Sequence, residues 1–319
     1  MQRTPTTVSA PMPVHDAVLP QPDTIELLLQ QSKRRTETVP IRRAFVQDTE
    51  DVAALIQKPG PLHQLVRHEK ALDLLLLLYM VTSGGDFGAV ERAETWGRAT
   101  ALTFETNGSA GSAVSRLWNR LAALNLVARG TRGRLAKVTK LREDGSGMPY
   151  TIPSGGEKGP RKDVYFRLPF DYWRDELHKR LDMAGKVVLL IGMSLRQRQF
   201  SLPQTATFAG YYGISEATLR RGIATLIKEE VLTKTGTERY PTNETVTGWG
   251  KRTLYAFNPP YDLNVNNKDK AAMEAAADET PGATLAGLGP SPWLVPPRLP
   301  ARSGPEAEPT TQTEGGEEK

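Results

Sequence analysis

The stretch PQTATFAGYYGISEATLRRGIATLIKEEVL, residues 203–232, decides how the chain reads. Pro203 suits the first turn of a helix that the pattern carries to about Tyr212. Gly213 supplies a turn position with φ > 0, Ile214 follows as a buried residue, and Ser215 is an N-cap for a second helix. Ala209, Gly213 and Leu219 stand at the spacing of a helix-turn-helix: a small residue for close approach, a glycine for the turn, and a leucine filling the angle between helices. Leu219, Ile223, Leu226 and Ile227 recur at i, i+4, i+7 and i+8, an apolar stripe. Ser215, Thr218, Arg220 and Arg221 lie on the polar side, toward the N-terminal half that a recognition helix inserts in a major groove. Residues 231–235 then read as a strand, 236–250 as a long loop and 251–257 as a second strand. Arg239, Lys251 and Arg252 on this hairpin are placed to meet phosphate.

Upstream, the chain repeats this programme. Residues 112–124 align without gaps to residues 217–229, with Val114 on Leu219 and Leu121 on Leu226. Val114, Leu117, Trp118, Leu121 and Leu124 make a buried face. Ser112, Ser115, Arg116, Asn119 and Arg120 make a polar one, suited to base readout because arginine pairs bidentately with guanine and asparagine with adenine. The next hairpin carries Arg129, Arg132, Arg134, Lys137 and Lys140, with Gly130 and Gly133 bracketing its tip. From Thr106 to Arg142 there are eight basic side chains and no acidic one. Leu135, Val138 and Leu141 are spaced by three, so a bulge or a short helix in place of part of the second strand is the alternative there. Each copy also opens with a short strand-like piece (43–46 and 164–168) and contains a strongly apolar helix (69–82 and 181–198).

These elements predict a mostly α fold with small β-hairpin wings, arranged as two tandem winged helix-turn-helix domains with disordered tails. Residues 1–39 read as a mostly disordered arm with a short helix at 23–35, 40–145 as the first domain, and 146–162 as a Gly- and Pro-rich linker. Residues 163–262 read as the second domain and 263–319 as a disordered acidic, Pro-rich tail. Residues 40–262 are expected to fold without the arms. SPWLVPPRLP, residues 291–300, is either a docking motif for a protein partner or passive tail.

The formal charge of +5 is unevenly spread: residues 258–319 hold ten acidic and five basic side chains, so the middle of the chain is strongly basic. A basic body with an acidic tail is a layout of nucleic-acid binders. The absence of cysteine excludes disulfides, thiolate metal sites and a cysteine nucleophile. His15, His63, His68 and His178 form no paired-histidine metal motif, and no phosphate-binding GxxxxGK[ST] is present. Neither enzyme chemistry nor a cofactor or metal is expected. The longest apolar run, Leu74 to Val81, is far short of the ~20 residues that span a bilayer. The first residues lack the apolar core of a signal peptide, so a cytoplasmic, nucleoid-associated protein is expected.

The doubled programme, carried by residues 203–232 and by GSAVSRLWNRLAALNLVARGTRGRLAKVTKLREDGSG, resembles tandem winged-helix proteins of bacterial plasmids and mobile elements, among them theta-type replication initiators. That resemblance implies sequence-specific binding of double-stranded DNA, at repeated sites, through both halves. A chromosomal transcriptional regulator is the alternative, and a protein-interaction module that uses its winged helices and tail motifs is a third class; a homodimer is a further candidate partner. The resemblance covers roughly residues 40–260.

Overall fold

Two runs of leucine, isoleucine and valine organise the molecule, seen here in a computed structural model that describes residues 18–32, 34–48, 58–105, 110–154, 163–243 and 245–264. The chain enters through α1 (Gln21–Gln31), β1 (Thr38–Arg42), the short strands β2 (Gln47–Asp48) and β3 (Lys58–Pro59), and α2 (Glu69–Val81). The first half continues with β4 (Gly88–Val90), α3 (Ala93–Ala99), α4 (Leu102–Glu105), α5 (Ala110–Ala123), β5 (Val127–Arg132) and β6 (Leu135–Lys140). The second half runs through β7 (Tyr165–Pro169), α6 (Asp171–Arg174), α7 (Leu177–Arg180), α8 (Met183–Leu195), β8 (Phe200–Ser201), α9 (Ala206–Gly210), α10 (Glu216–Lys228), β9 (Leu232–Pro241) and β10 (Trp249–Phe257).

The mostly α fold of two tandem winged helix-turn-helix domains is not what forms. Among the described residues the chain is a mix of helix and strand with four antiparallel sheets: β1–β7, β2–β3, β4–β6–β5 and β8–β10–β9. Strand β1 of the first half pairs with β7 of the second over five residues, Thr38 facing Pro169 and Arg42 facing Tyr165. The halves therefore share a sheet. These strands are hard to read in sequence because they hold residues that usually punctuate them. Pro40 and Pro169 sit in a two-stranded sheet, where every strand is an edge and a missing N–H is tolerated. Gly236 and Pro241 make most of β9 look like loop, yet β9 and β10 pair from Leu232–Phe257 out to Pro241–Trp249. The strand expected at 43–46 is corrected too: Arg43–Phe45 is a 3-10 turn and the strand lies just before it.

The N-terminal arm is corrected where it is described. Ile25, Leu28 and Leu29 of α1 are buried, and α1 packs on α2, α3 and α6. The Arg34 guanidinium donates to the carbonyls of Tyr79 (2.8 Å), Met80 (3.2 Å) and Thr82 (2.7 Å), satisfying the C-terminal end of α2. A chain starting at residue 40 would lose α1, Arg34 and part of β1, so the fold extends N-terminal of the expected boundary. Residues 1–17 and 265–319, including the 291–300 motif, lie outside the described residues.

Helices α2 and α8 are buried along most of their length. Lys186, in the middle of α8, is 1% exposed and reaches Glu69 and Asp73 of α2, each at 2.7 Å. A lone ammonium in that position would carry a large desolvation penalty, and two carboxylates offset it. Helix α10 crosses α8 at Gly222, where an added methyl group would run into the Ala184 carbonyl and the Val188 side chain. Gly222→Ala should therefore cost about 1–3 kcal/mol of stability despite its better helix propensity; a shift of the urea midpoint reads this directly.

A polar centre sits where the two halves meet. Arg42 of β1 is fully buried; it donates to Glu143 (2.7 Å), to Asp163 (3.0 Å), and to the Thr151 carbonyl (2.7 Å) and hydroxyl (2.9 Å). Lys140, at the end of β6, pairs with Glu143 at 2.9 Å and lies over the rings of Tyr150 (3.7 Å) and Tyr79 (4.0 Å). Tyr150, within the expected linker, is buried and meets Phe87 edge-on at 4.6 Å. Burial pulls the Lys140 ammonium down to about 8; Glu143 opposes that, while Arg34 and Arg42 reinforce it. Between about pH 8 and 10 the unfolded chain then keeps a proton that the folded chain has released, so stability rises with pH in that window. Lys140→Met should flatten this rise, as urea midpoints measured across the window would show.

Candidate nucleic-acid interface

Helix α5 buries Val114, Trp118 and Leu121, one side of the cylinder at i, i+4 and i+7. Trp118 meets Trp96 of α3 in a T-shaped contact at 5.4 Å. That anchoring turns Ser112, Ser115, Arg116, Asn119 and Arg120 outward. Leu117 and Leu124, expected in the core, are only half-buried. Two residues past the end of the helix, Asn125 takes a φ of 56° that lets the chain reverse into β5. Strands β5 and β6 then pair without a bulge from Val127–Lys140 to Arg132–Leu135, and Gly133 (φ 62°) turns the tip.

Arg129 joins hairpin to helix: its guanidinium donates to the Asn119 side-chain carbonyl and to the Ser115 hydroxyl (3.3 Å). Arg120 donates to His68 Nε2 at 2.7 Å, at the foot of α2. Desolvation lowers the His68 pKa, and Arg120 and Arg67 lower it further, which favours the neutral ring that can accept from Arg120. Nothing in the local sequence pattern marks Arg67 or His68 for this surface; only the fold brings them to it.

The run of eight cations without an acid does not survive folding intact. Lys137 pairs with Asp86, and Arg142 with Asp144 (2.5 Å) and Asp163 (3.3 Å). Lys140 is a correction to the expected contact set: Val138 and Lys140 alternate inward along β6, so its ammonium lies in the interior. Arg116, Arg120, Arg129, Arg132 and Arg134 remain exposed on one helix and one hairpin. None of the ion pairs found among the described residues involves these five.

The second half differs. Thr205 caps α9, Gly213 (φ 63°) makes the turn, and the Ser215 hydroxyl caps α10 by accepting from the Thr218 amide at 3.1 Å. Ser215 and Thr218 also contact each other through their hydroxyls at 2.9 Å, so both serve the cap. Helix α9 covers residues 206–210, fewer than expected, and Ile227 is exposed rather than part of the stripe. Three of the cations here have acidic neighbours: Arg220 with Glu216 (3.9 Å), Arg221 with Asp182 (2.5 Å), Arg252 with Glu238 (2.8 Å). Arg239 lies beside the Trp249 ring at 5.4 Å, and Lys251 is exposed.

Elsewhere, a cleft of about 270 Å³ is lined by Glu69, Asp73, Lys186, Trp173 and His178, among others. Burial pulls His178 down to about 4, so it is neutral there. Among the described residues no group of three His, Asp or Glu side chains is placed to hold a metal ion, and no helix is long and apolar enough to cross a membrane. Compared with protein-family models, with curated proteins and with solved structures, the chain matches none.

Proposed function

We propose that the protein binds double-stranded DNA through the outward face of α5 and the β5–β6 hairpin, as a non-catalytic DNA-binding protein of the cytoplasm and nucleoid. One observation carries this reading: five exposed arginines with no acidic partner among the described residues are concentrated on one helix and the hairpin that follows it, with the helix anchored by the Trp96–Trp118 contact and tied to the hairpin by Arg129. Phosphate contacts supply most duplex affinity, and Arg132 and Arg134 at the hairpin tip suit them. Arg116, Asn119 and Arg120 on α5 are the side chains for base edges.

The two halves contribute unequally in this reading. The pairing of Arg220 and Arg221 with carboxylates leaves α10 less charge for a polyanion. Fluorescence anisotropy of the full chain with a duplex should show affinity falling linearly on a log–log plot against salt. Arg220→Ala with Arg221→Ala should reduce that affinity less than Arg116→Ala with Arg120→Ala. Equal losses would place both halves on the duplex; no binding at low salt would remove the proposal. Among DNA-binding roles, a replication initiator or regulator of a plasmid or mobile element fits the resemblance in the sequence. Clustered repeats in a genome-wide footprint support the initiator, and isolated promoter sites support the transcriptional regulator.

A further inference from the structure

The β9–β10 hairpin has two faces of different character. Residues paired across antiparallel strands point to the same side. The register Glu238–Arg252 and Tyr240–Gly250 makes one self-satisfied face: Arg252 binds Glu238 at 2.8 Å and lies 5.5 Å from the Tyr240 ring, which covers Gly250. The register Thr237–Thr253, Arg239–Lys251 and Pro241–Trp249 makes the other. This second face holds two cations and an indole, and no carboxylate.

Trp249 is 49% exposed, whereas Trp96, Trp118 and Trp173 are each 3% exposed or less. It is not among the buried core residues, and the Arg239 guanidinium lies over its ring at 5.4 Å. A half-exposed aromatic ring beside two cations suits a polyanion that also offers flat apolar faces. Unpaired nucleic acid has that chemistry, because every base has a stackable face; a duplex hides those faces in its interior.

We propose that this face of the hairpin binds an unpaired nucleic-acid strand, with a base stacked on Trp249 and the phosphates on one side of that base met by Arg239 and Lys251. The site shares no residue with the α5 surface and goes beyond the duplex reading.

The test uses the full chain carrying Trp293→Phe, which leaves Trp249 and the buried tryptophans as emitters. Titration with oligothymidylate about 20 nucleotides long should give a saturable quench of tryptophan emission. Trp249→Ala should abolish the quench and weaken binding, followed by anisotropy of a labelled oligonucleotide, about 5- to 100-fold. Trp249→Phe should restore most of the affinity, because a phenyl ring still stacks. Replacing Arg116, Arg129 and Arg132 by alanine should leave the quench in place while duplex binding falls, which separates the two proposals. The inference is overturned by no quench at low salt, by a Trp249→Ala variant that binds oligothymidylate like the parent, or by a Trp249→Ala loss confined to duplex. Thermal unfolding of Trp249→Ala should match the parent, since the ring lies outside the core.

Discussion

Replacing Arg42 by alanine should lower the unfolding free energy by about 3–5 kcal/mol, the range for stripping one partner from a buried ion pair. Arg42 and Glu143 are both fully buried, and the guanidinium also satisfies Asp163 and Thr151. Without it, Glu143 keeps only Lys140, whose own ammonium is weakened by burial. The effect is expected to be global, because Arg42 lies in the strand that joins the halves and its acceptors come from beyond β6 and before β7. Equilibrium urea unfolding measures it. A change below about 1 kcal/mol, the size of a surface pair, would mean that water reaches this cluster. Replacing Arg42, Lys140 and Glu143 together by apolar residues of similar volume should recover much of the loss, since a buried ion cluster is not stabilising in itself.

The second large effect is on binding. Arg116, Arg129 and Arg132 replaced together by alanine should reduce duplex affinity on specific and random sequences alike. The slope of log K against log salt should become shallower by about 0.9 for each phosphate that the variant no longer neutralises. Arg129 has an added role, since it ties Asn119 and Ser115 to the hairpin. Its removal should also relax base preference wherever Asn119 reads an edge. An unchanged slope would take this surface off the DNA.

The helices are largely legible in the sequence and the sheets are not. The apolar stripe Leu219, Ile223, Leu226 and the capped turn at Gly213 and Ser215 are local features, and they place α10 within a residue or two. Residues 112–124 and 217–229, aligned in sequence, fall on helices α5 and α10; each is followed by a hairpin, but the third strand of each sheet, β4 or β8, is not expected from the sequence. What local pattern does not show is pairing at long range. Strand β1 finds β7 more than 120 residues away, and neither strand alternates cleanly because Pro40, Arg42 and Pro169 interrupt the apolar pattern.

Charge misleads for the same reason. The stretch from Thr106 to Arg142 has no acid in sequence, yet Asp86 and Glu143 reach Lys137 and Lys140 in space. A lysine on the inward face of a strand reads as surface in any single sequence, and only Glu143, Tyr79 and Tyr150 around it explain its burial. Lys186 in α8 is the same case, an ammonium inside an apolar helix whose carboxylate partners lie on α2. The α1 helix, by contrast, shows its apolar face in Ile25, Leu28 and Leu29; what it packs against comes from α2, α3 and α6, far along the chain.

The measurement that bears most directly on duplex binding through α5 is site-specific photo-crosslinking. A photoreactive phenylalanine derivative placed at Arg116 on α5, and in a separate chain at Ala217 on α10, is irradiated with a labelled duplex at low salt. Strong crosslinking from position 116, disappearing as salt rises, is the predicted result, with weaker crosslinking from position 217. A duplex that crosslinks from 217 and not from 116 would contradict the account.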